Sequence, residues 1–378
     1  MHRNCDVLVI GAGPAGSATA TYAARAGLSV IVADRAKFPR DKPCAEYLSP
    51  EASRDLDEIG VIEKIESAGA ERLHGFRLVS DDGADVCGRY ANTPFTPYRP
   101  FGYALPRLVL DAILLDAARA AGAAVHESTM MDRLTVEDGH VRGATLRGPQ
   151  GTIDIRARVV VGADGLNSRV ARQLGLARQG GLLRLGLVTH LDGVQGMTDV
   201  GEMFASDGWY VGLAPVAPGV VNFAMVVPRS ESAVIGKETE AYFLAKLRTV
   251  PELARRLQGA RIMREVQVTG PFARRASRPI ADGALLVGDA ADFYDPFTGE
   301  GIFAALRGAR LAVDTMAQAL GGGAATRRAL RPYVAARRRA FFGKWVLERV
   351  VGLGATRPGL MRRFTRQLAR RSHIADLW

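Results

Sequence analysis

The chain has 378 residues, of which 48% are hydrophobic and 24% charged, and its formal net charge is +11. This length predicts about two domains, and the near-average composition excludes collagen-like, disordered and disulfide-stapled proteins. The three cysteines form no CxxC motif, which argues against a structural zinc site and a secreted disulfide framework. We therefore expect a cytoplasmic protein without a metal.

The positive charge is concentrated near the C-terminus. Residues 324–378 contain 14 Arg and Lys but only Glu348 and Asp376 as acidic residues, so the preceding body is close to neutral. A surface that binds nucleic acid would need basic residues interleaved with aromatic ones on that body. We therefore expect no nucleic-acid partner.

The N-terminus predicts a strand, a glycine-rich turn and a helix. The aliphatic run 5–10 precedes the sequence GAGPAG, and residues 17–26 follow as a helix of small residues. In such a unit the first glycine makes the turn, the second lets the backbone approach a pyrophosphate, and the third packs the helix on the strand. The helix N-terminus adds unpaired N–H groups. The predicted phosphate cradle consists of Gly11, Ala12, Gly13, Pro14, Ala15 and Gly16.

A second predicted strand, residues 29–33, ends at Asp34. An acidic residue at this place hydrogen-bonds an adenosine ribose, which favours FAD or NAD over the 2′-phosphate of NADP. Arg35 either holds an adenine face or a phosphate, or is simply solvated.

Two long uncharged segments, 7–24 and 208–228, are interrupted by glycines and prolines. The apolar runs within them are too short to span a membrane. The second segment predicts a hairpin with its turn at residues 217–219. We expect no transmembrane segment.

Two further motifs each follow a buried strand. Residues 161–169 read VGADGLNSR, and residues 283–291 read GALLVGDAA and are followed by DPFTGEGI at 295–302. In the motif at residues 283–302, Asp289 comes at the end of the strand, and a Gly/Pro turn opens a helix over 302–320. The N–H groups at the start of that helix can stabilise an electron-rich ring or a developing anion.

The three motifs, in this order, resemble the flavin-dependent oxidoreductases that include p-hydroxybenzoate-hydroxylase-type monooxygenases, geranylgeranyl reductases and flavin halogenases. The resemblance implies an α/β fold: a Rossmann-type FAD-binding domain, an inserted β-sheet substrate domain and a helical C-terminal extension. It also implies that the second motif lies near FAD and the nicotinamide, that Asp289 contacts the ribityl or pyrophosphate group, and that the turn lies against the isoalloxazine. The cofactor residues assigned in this way are Asp164, Gly165, Gly288, Asp289, Pro296, Gly299, Gly301 and Ile302.

We expect three regions. The FAD-binding domain would comprise residues 1–71, 102–179 and 272–323, and the substrate domain 72–101 and 180–271. Residues 324–378 would form a basic helical region after the Gly321–Gly323 run. Its predicted helix over 327–351 either packs as a cap on the FAD domain or lies on an anionic membrane surface as a peripheral contact.

The segment KPCAEYLSP at residues 42–50 resembles the Lys-x-Cys-Gly segment of the geranylgeranyl-reductase branch, with Ala45 in place of the glycine. The resemblance places Cys44 and Ala45 near the flavin. No base is paired with Cys44 in the sequence, so we expect a small buried residue and not a nucleophile. Arg107 begins an Ala-rich helix and is either an FAD contact, as the resemblance implies, or a capping or surface arginine.

In the family, a sheet with apolar and aromatic side chains covers the flavin and lines the substrate pocket. Large residues in the corresponding segments either line this pocket or belong to the sheet core. The candidates are Tyr47, Phe204, Trp209, Tyr210, Phe223, Met225 and Phe297.

The motifs leave two kinds of chemistry open. The GEGI turn favours the reductase branch over aromatic hydroxylases, and residues 210–215 lack the tryptophans that a halogenase requires. No histidines are spaced for a metal, so the chemistry belongs to the cofactor. Our main expectation is FAD-dependent hydroxylation or epoxidation of an apolar or phenolic molecule, with NAD(P)H as electron donor. The alternative is hydrogenation of isoprenoid double bonds.

Overall fold

A computed structural model describes residues 3–93, 96–206, 208–356 and 359–369. Within these residues the chain forms eleven α-helices and twenty-two strands. The helices are α1 (Pro14–Arg25), α2 (Ala52–Ile59), α3 (Ile62–Ser67), α4 (Arg107–Ala120), α5 (Arg169–Gln173), α6 (Ser232–Ile235), α7 (Thr239–Arg248), α8 (Pro251–Arg256), α9 (Gly301–Gly321), α10 (Arg331–Thr356) and α11 (Leu360–Ala369).

The strands are β1 (Arg3–Ile10), β2 (Val30–Ala33), β3 (Tyr47–Leu48), β4 (Glu71–Leu73), β5 (Gly75–Ser80), β6 (Asp85–Arg89), β7 (Gly102–Ala104), β8 (Ala124–His126), β9 (Met130–Glu137), β10 (His140–Gly148), β11 (Gly151–Gly162), β12 (Ala177–Gln179), β13 (Arg184–Asp192), β14 (Gly201–Ser206), β15 (Trp209–Ala217), β16 (Val220–Pro228), β17 (Arg261–Ile262), β18 (Gln267–Thr269), β19 (Arg274–Ala276), β20 (Ile280–Ala281), β21 (Ala284–Leu286) and β22 (Asp292–Phe293).

The first sheet is the nucleotide-binding part of the fold. Its strand order is β20-β21-β11-β1-β2-β8, and β1 runs parallel to both β11 and β2. Val7, Leu8 and Val9 in β1 are completely buried, as a strand covered on both faces requires. Helices α1, α4 and α9 pack together on one face, and the parallel strands end at a common edge beside the start of α1.

The second sheet has the order β17-β13-β16-β15-β14-β5-β6, with β18 also paired to β13. Strands β15 and β16 form the predicted hairpin at residues 217–219, which confirms that prediction. One face of the sheet packs on α7 and α8, and the other face turns towards the first sheet. The fold is therefore the mixed α/β architecture that the motifs predict.

The C-terminal region caps the nucleotide-binding part. Helix α10 packs on α9, and the side chains of Tyr333 and Phe341 are almost completely buried. The Tyr333 hydroxyl donates a hydrogen bond of 2.8 Å to the Leu286 carbonyl oxygen, and Arg337 forms an ion pair with Asp292. Residues 357–358 and 370–378 of the expected basic region lie outside the described residues. None of the helices in the described ranges has the length and apolar character needed to span a bilayer.

Candidate cofactor and substrate site

The carboxyl edge of the first sheet faces the second sheet across a cleft with two connected cavities. The outer cavity lies at the ends of β1 and β2, and the inner cavity lies between the two sheets. Gly13, Lys42 and Gly165 line both. A long ligand can therefore extend from one cavity into the other.

The glycine turn after β1 has no room for side chains at two of its positions. Gly11 has φ +101°, and a Cβ atom there would lie 2.5 Å from the Ala163 carbonyl oxygen. A Cβ on Gly16 would lie 1.8 Å from the Gly11 carbonyl oxygen. Gly13 instead faces the cleft, where Pro14 and Ala15 at the start of α1 line the inner cavity. The N-terminus of α1 is thus open to an anion.

Asp34 holds this turn in place. Its carboxylate accepts hydrogen bonds of 2.6 Å from the Ala12 amide and 2.8 Å from the Ala36 amide. Each carboxylate oxygen can accept a second bond, so the group can also receive a ribose hydroxyl. Asp34 and the exposed Arg35 both line the outer cavity, on the side where the sequence predicts the adenosine.

Three cationic side chains surround the cradle. An atom in the Cβ position of Gly13 would lie 3.4 Å from Arg40 Nη2 and 3.8 Å from Arg107 Nη2. Both guanidinium groups pair with the buried Asp111, at 3.0 and 2.7 Å. Lys42 is half-buried beside them, and desolvation, reinforced by the charge of Arg107, lowers its pKa.

One atom of this group lacks the partner that burial requires. Arg40 Nη1 is buried and has no hydrogen-bond partner among the described residues. Buried guanidinium groups are normally paired, and arginine is well suited to bind a diphosphate. The cradle and its cations therefore fit the pyrophosphate of FAD, and Arg107 is a buried residue of this cluster and not a surface arginine.

In the second motif, residues 161–169, the Asp164 carboxylate is bonded to the protein's own chain. Asp164 accepts hydrogen bonds from the Ser168 hydroxyl and the Arg169 amide, at 2.5 and 2.6 Å, and so fixes the start of α5. Burial raises the pKa of Asp164. Gly165, with φ +74°, follows directly and lines both cavities.

The third motif borders the inner cavity. Asp289 lines it just beyond β21, and the turn contributes the four residues Pro296, Gly299, Gly301 and Ile302. Gly299 has φ +68°, and a Cβ there would lie 2.8 Å from the Tyr47 ring. Gly288 does not line the cavity, but a Cβ there would lie 2.8 Å from Ala15, so it lets this motif approach α1.

Cys44, Ala45 and Tyr47 line the inner cavity on one loop, and Glu46 in the same loop is a functional candidate that the sequence did not reveal. Glu46 is completely buried and has φ +60°, a strained conformation for a residue with a side chain. Its carboxylate accepts hydrogen bonds from the Arg107 amide at 3.0 Å and the Asn222 amide group at 2.8 Å. His190 Nε2 lies 2.6 Å from the same carboxylate. This network holds the loop between the two sheets.

The second sheet presents mostly small residues to the inner cavity, namely Gly186, Val188, Gly212, Ala224 and Val226, together with Met203 and Tyr210. For three of the large candidates the structure selects the second alternative, the sheet core. Phe204, Trp209 and Phe223 pack in the core against α7 and α8, because side chains alternate between the faces of a strand. Met225 belongs to that core and also borders the cavity.

Tyr210 and Phe297 form the floor beside the turn. Their rings pack edge to face with centroids 5.0 Å apart, and Phe297 is buried behind the turn without lining the cavity. The Tyr210 hydroxyl donates a hydrogen bond of 2.5 Å to Asp295, whose other oxygen lies 3.4 Å from Arg184. Burial raises the pKa of Tyr210 and of Asp295.

Helix α10 also reaches the inner cavity, which the sequence did not predict. Lys344 and Glu348 line it and are joined by a hydrogen bond of 2.5 Å. Glu300 lies on the same wall, and burial raises its pKa to about 7. The basic region is therefore part of the site, although its charge suggested a separate appendage.

The parallel sheet, the phosphate cradle and the Gly/Pro turn at residues 295–302, which we call the flavin-facing turn, define an FAD-dependent oxidoreductase. The chain belongs to the FAD binding domain family, whose model matches residues 4–346, within the superfamily of p-hydroxybenzoate hydroxylase and geranylgeranyl reductase.

Two curated relatives illustrate this membership. The chain is 32% identical over 344 residues to digeranylgeranylglycerophospholipid reductase 1 of Methanothermobacter thermautotrophicus, covering 88% of this chain and 82% of the relative. It is 33% identical over 328 residues to digeranylgeranylglycerophospholipid reductase 1 of Methanopyrus kandleri, covering 83% and 81%.

Solved structures share the fold. The myxobacterial chondrochloren halogenase, an FAD-dependent halogenase, superimposes with a TM-score of 0.86 at 22% identity, covering 98% of this chain and 91% of that one. A geranylgeranyl bacteriochlorophyll reductase-like protein from Thermoplasma acidophilum gives 0.81 at 22% identity, covering 100% and 92%. At this identity the similarity shows the fold alone.

Proposed function

We propose that this protein is a flavin-dependent reductase that hydrogenates carbon–carbon double bonds of an isoprenoid substrate. The observation that carries the proposal is its relation to the digeranylgeranylglycerophospholipid reductases, which extends over more than four fifths of both chains. These relatives favour hydrogenation, the alternative from the sequence, over the monooxygenation that we expected first.

The shape of the inner cavity supports an apolar, extended substrate. Gly186, Gly212 and Ala224 lie on the face of the second sheet that turns to the cavity, and their small side chains leave space above the flavin-facing turn. Val188 and Val226 continue the same face, so a ring or a branched chain that lies against it contacts apolar side chains. Cavities of this kind bind their ligands mainly through apolar contact.

When bound, FAD would supply the hydride chemistry. The protein's own part is to bind the pyrophosphate through the α1 N-terminus, Arg40 and Arg107, and to hold the ring against the turn at Pro296–Thr298. The loop with Cys44 and Tyr47 borders the cavity and is held against the second sheet by the Glu46 network. A site closed in this way keeps water from the reacting atoms.

An anaerobic reoxidation experiment tests the proposal. The FAD-loaded enzyme is reduced without oxygen and mixed with a geranylgeranyl lipid or, as the matched control, its fully saturated phytanyl counterpart. We expect the flavin spectrum to return to the oxidised form only with the unsaturated lipid, and the product to gain two hydrogen atoms per reduced bond. If reoxidation requires oxygen and the product gains an oxygen atom, the enzyme is a monooxygenase.

We also propose NAD(P)H as the source of electrons. Mixing the oxidised enzyme with NADH or NADPH without oxygen tests this, because bleaching of the flavin reports electron transfer. Failure of both nucleotides would point to a partner reductase.

We further propose that the outward face of α10 contacts an anionic membrane. Val334, Arg338, Phe342, Val346 and Val350 follow one another at intervals of four residues and are all exposed, whereas Tyr333 and Phe341 point into the protein. A helix with one buried face and one basic, apolar outer face suits such a surface.

Sedimentation with vesicles tests the membrane contact. We expect the protein to bind vesicles with anionic lipids, and the Phe342→Asp, Val346→Asp double variant to bind several-fold less while retaining FAD. Equal binding of both proteins would contradict the proposal. Substitution is preferable to truncation, because removing α10 would also remove the buried Tyr333 and Phe341 and expose the surface of α9 that α10 covers.

A further inference from the structure

One end of the inner cavity has a chemistry that neither FAD nor a hydrocarbon explains. Asp295, Glu300, Lys344 and Glu348, which we call the acidic end, line the cavity where α10 meets the flavin-facing turn. The face of the second sheet that lines the same cavity is mostly apolar. A group of carboxylates is costly in such a place unless each is paired, so the pairing of each one is informative.

Two of these carboxylates have partners inside the protein. Asp295 accepts hydrogen bonds from the Tyr210 hydroxyl and the Phe297 amide and lies 3.4 Å from Arg184. Glu300 accepts a hydrogen bond of 3.3 Å from the Ser49 hydroxyl. These contacts make Asp295 a fixed part of the wall.

Glu348 is different, because one of its oxygens is buried without a hydrogen-bond partner among the described residues. Oε1 accepts the hydrogen bond from Lys344, whereas Oε2 is buried and has no partner among the described residues. The side chain is only 3% exposed, and burial raises its pKa. Glu348 lines the inner cavity, so its unpaired oxygen is available to accept a hydrogen bond from a ligand there.

The neighbouring charges select the kind of donor. Lys344 already supplies a positive charge to Glu348, so a second cation is not needed. Glu300 and Asp295 lie close enough to influence this region, since the charge of Glu348 contributes to raising the pKa of Glu300 after burial, and the charge of Asp295 contributes to raising that of Glu348. An anionic phosphate would be repelled here. A neutral hydroxyl satisfies the free oxygen without adding charge.

We propose that the acidic end is a subsite for a hydroxyl group of the substrate, which donates its hydrogen bond to Glu348 Oε2. The substrate is then a prenyl alcohol or a prenylated compound with a free hydroxyl, and its apolar chain lies along Gly186, Gly212 and Ala224. The isoprenoid part of this inference rests on the proposed function, whereas the hydroxyl subsite rests on the cavity alone.

Ligand binding to the oxidised FAD-loaded enzyme tests the subsite without any turnover. The probes are farnesol, farnesyl methyl ether, which lacks the donor, and farnesyl phosphate, with the flavin absorbance as readout. We expect farnesol to bind about tenfold or more tightly than the ether, since a hydrogen bond to a charged group contributes about 1.5–3 kcal/mol. Farnesyl phosphate should bind more weakly than farnesol.

Two variants of Glu348 test whether this residue causes the preference for farnesol over the ether. Glu348→Met keeps a long unbranched side chain but removes the acceptor, and it should bind farnesol and the ether equally. Glu348→Gln keeps an acceptor oxygen and should retain part of the preference. Arg339→Met, at an exposed position of the same helix, is the matched control and should behave as the unaltered protein does.

Three outcomes would overturn the subsite: no preference for farnesol in the unaltered protein, the same preference in Glu348→Met, or tighter binding of the phosphate. A change in FAD affinity or in the ligand-free flavin spectrum of Glu348→Met would also overturn it, because the carboxylate would then contact the cofactor. A preference that depends on Glu348 in an enzyme that reduces no alkene would refute the proposed function and leave the subsite standing.

Discussion

The two ends of the cleft are built in different ways. At the nucleotide end the backbone itself forms the site, and Gly11 and Gly16 are packed so closely that a single methyl group would overlap a carbonyl oxygen. At the inner end, side chains from the 42–47 loop, the second sheet, the flavin-facing turn and α10 meet in one cavity. Substitutions at the nucleotide end should therefore abolish FAD binding, whereas substitutions at the inner end should alter substrate specificity gradually.

The largest effect is expected for Gly16→Ala. The added methyl group would lie 1.8 Å from the Gly11 carbonyl oxygen, so the turn must open and the cradle is lost. We expect purified protein without bound flavin and a loss of stability of more than about 3 kcal/mol. Gly181→Ala, where nothing lies within 4 Å, is the control and should keep its flavin. A flavin-loaded Gly16→Ala protein would contradict the difference that we describe between the two ends of the cleft.

Arg40→Met should come next, since it removes a charge from the pyrophosphate without touching the backbone. Loss of a hydrogen bond to a charged group predicts a dissociation constant for FAD that is about 10 to 100 times higher. Equilibrium titration of the apoprotein with FAD measures it. Arg133→Met, at an exposed site that lines neither cavity, should leave the constant unchanged.

Gly212→Val tests a glycine at the other end of the cleft. A Cβ there would lie 3.9 Å from the nearest atom, so the strand accommodates it, but the side chain narrows the cavity. We expect normal flavin content and kcat/KM for a long isoprenoid reduced by about tenfold, in the range that one or two methyl groups alter in an apolar pocket. Loss of the flavin would show that the two ends do not differ as we describe.

The smallest effect concerns Glu300 and pH. Its pKa of about 7 lies above the value for an exposed glutamate, so the charged form destabilises the folded protein. This loss of stability is absent at low pH, develops above the pKa that Glu300 has in the unfolded chain and is complete above pH 7. Glu300→Gln should therefore unfold at a temperature about 2–4 °C higher than the unaltered protein at pH 8 and show little difference at pH 4.5. A lower unfolding temperature for Glu300→Gln than for the unaltered protein at pH 8 would contradict the raised pKa.

The nucleotide end could be predicted from the sequence because its geometry permits only certain residues. Gly11, Gly165 and Gly299 all have positive φ, and Gly16 has no space for a side chain. Such requirements leave a visible pattern at fixed spacing. The hairpin of β15 and β16 was visible for the same reason.

The inner end could not be predicted in this way, because it depends on register and on distant chain segments. Met203 lines the cavity while its neighbour Phe204 packs on the other face, and nothing local in the sequence distinguishes the two faces. Glu46 adopts positive φ without being a glycine or asparagine. Glu348 approaches Glu300 only because α10 folds back over α9.

The position of α10 has a consequence for how the enzyme matures during translation. Strand β1 begins at Arg3, but its neighbour β11 ends only at Gly162, and the wall of the inner cavity is complete only when Glu348 has left the ribosome. A nascent chain that stops short of α10 can already contain all three glycine motifs while its reaction chamber is still open to water. The inner cavity is therefore enclosed only after α10 has been synthesised.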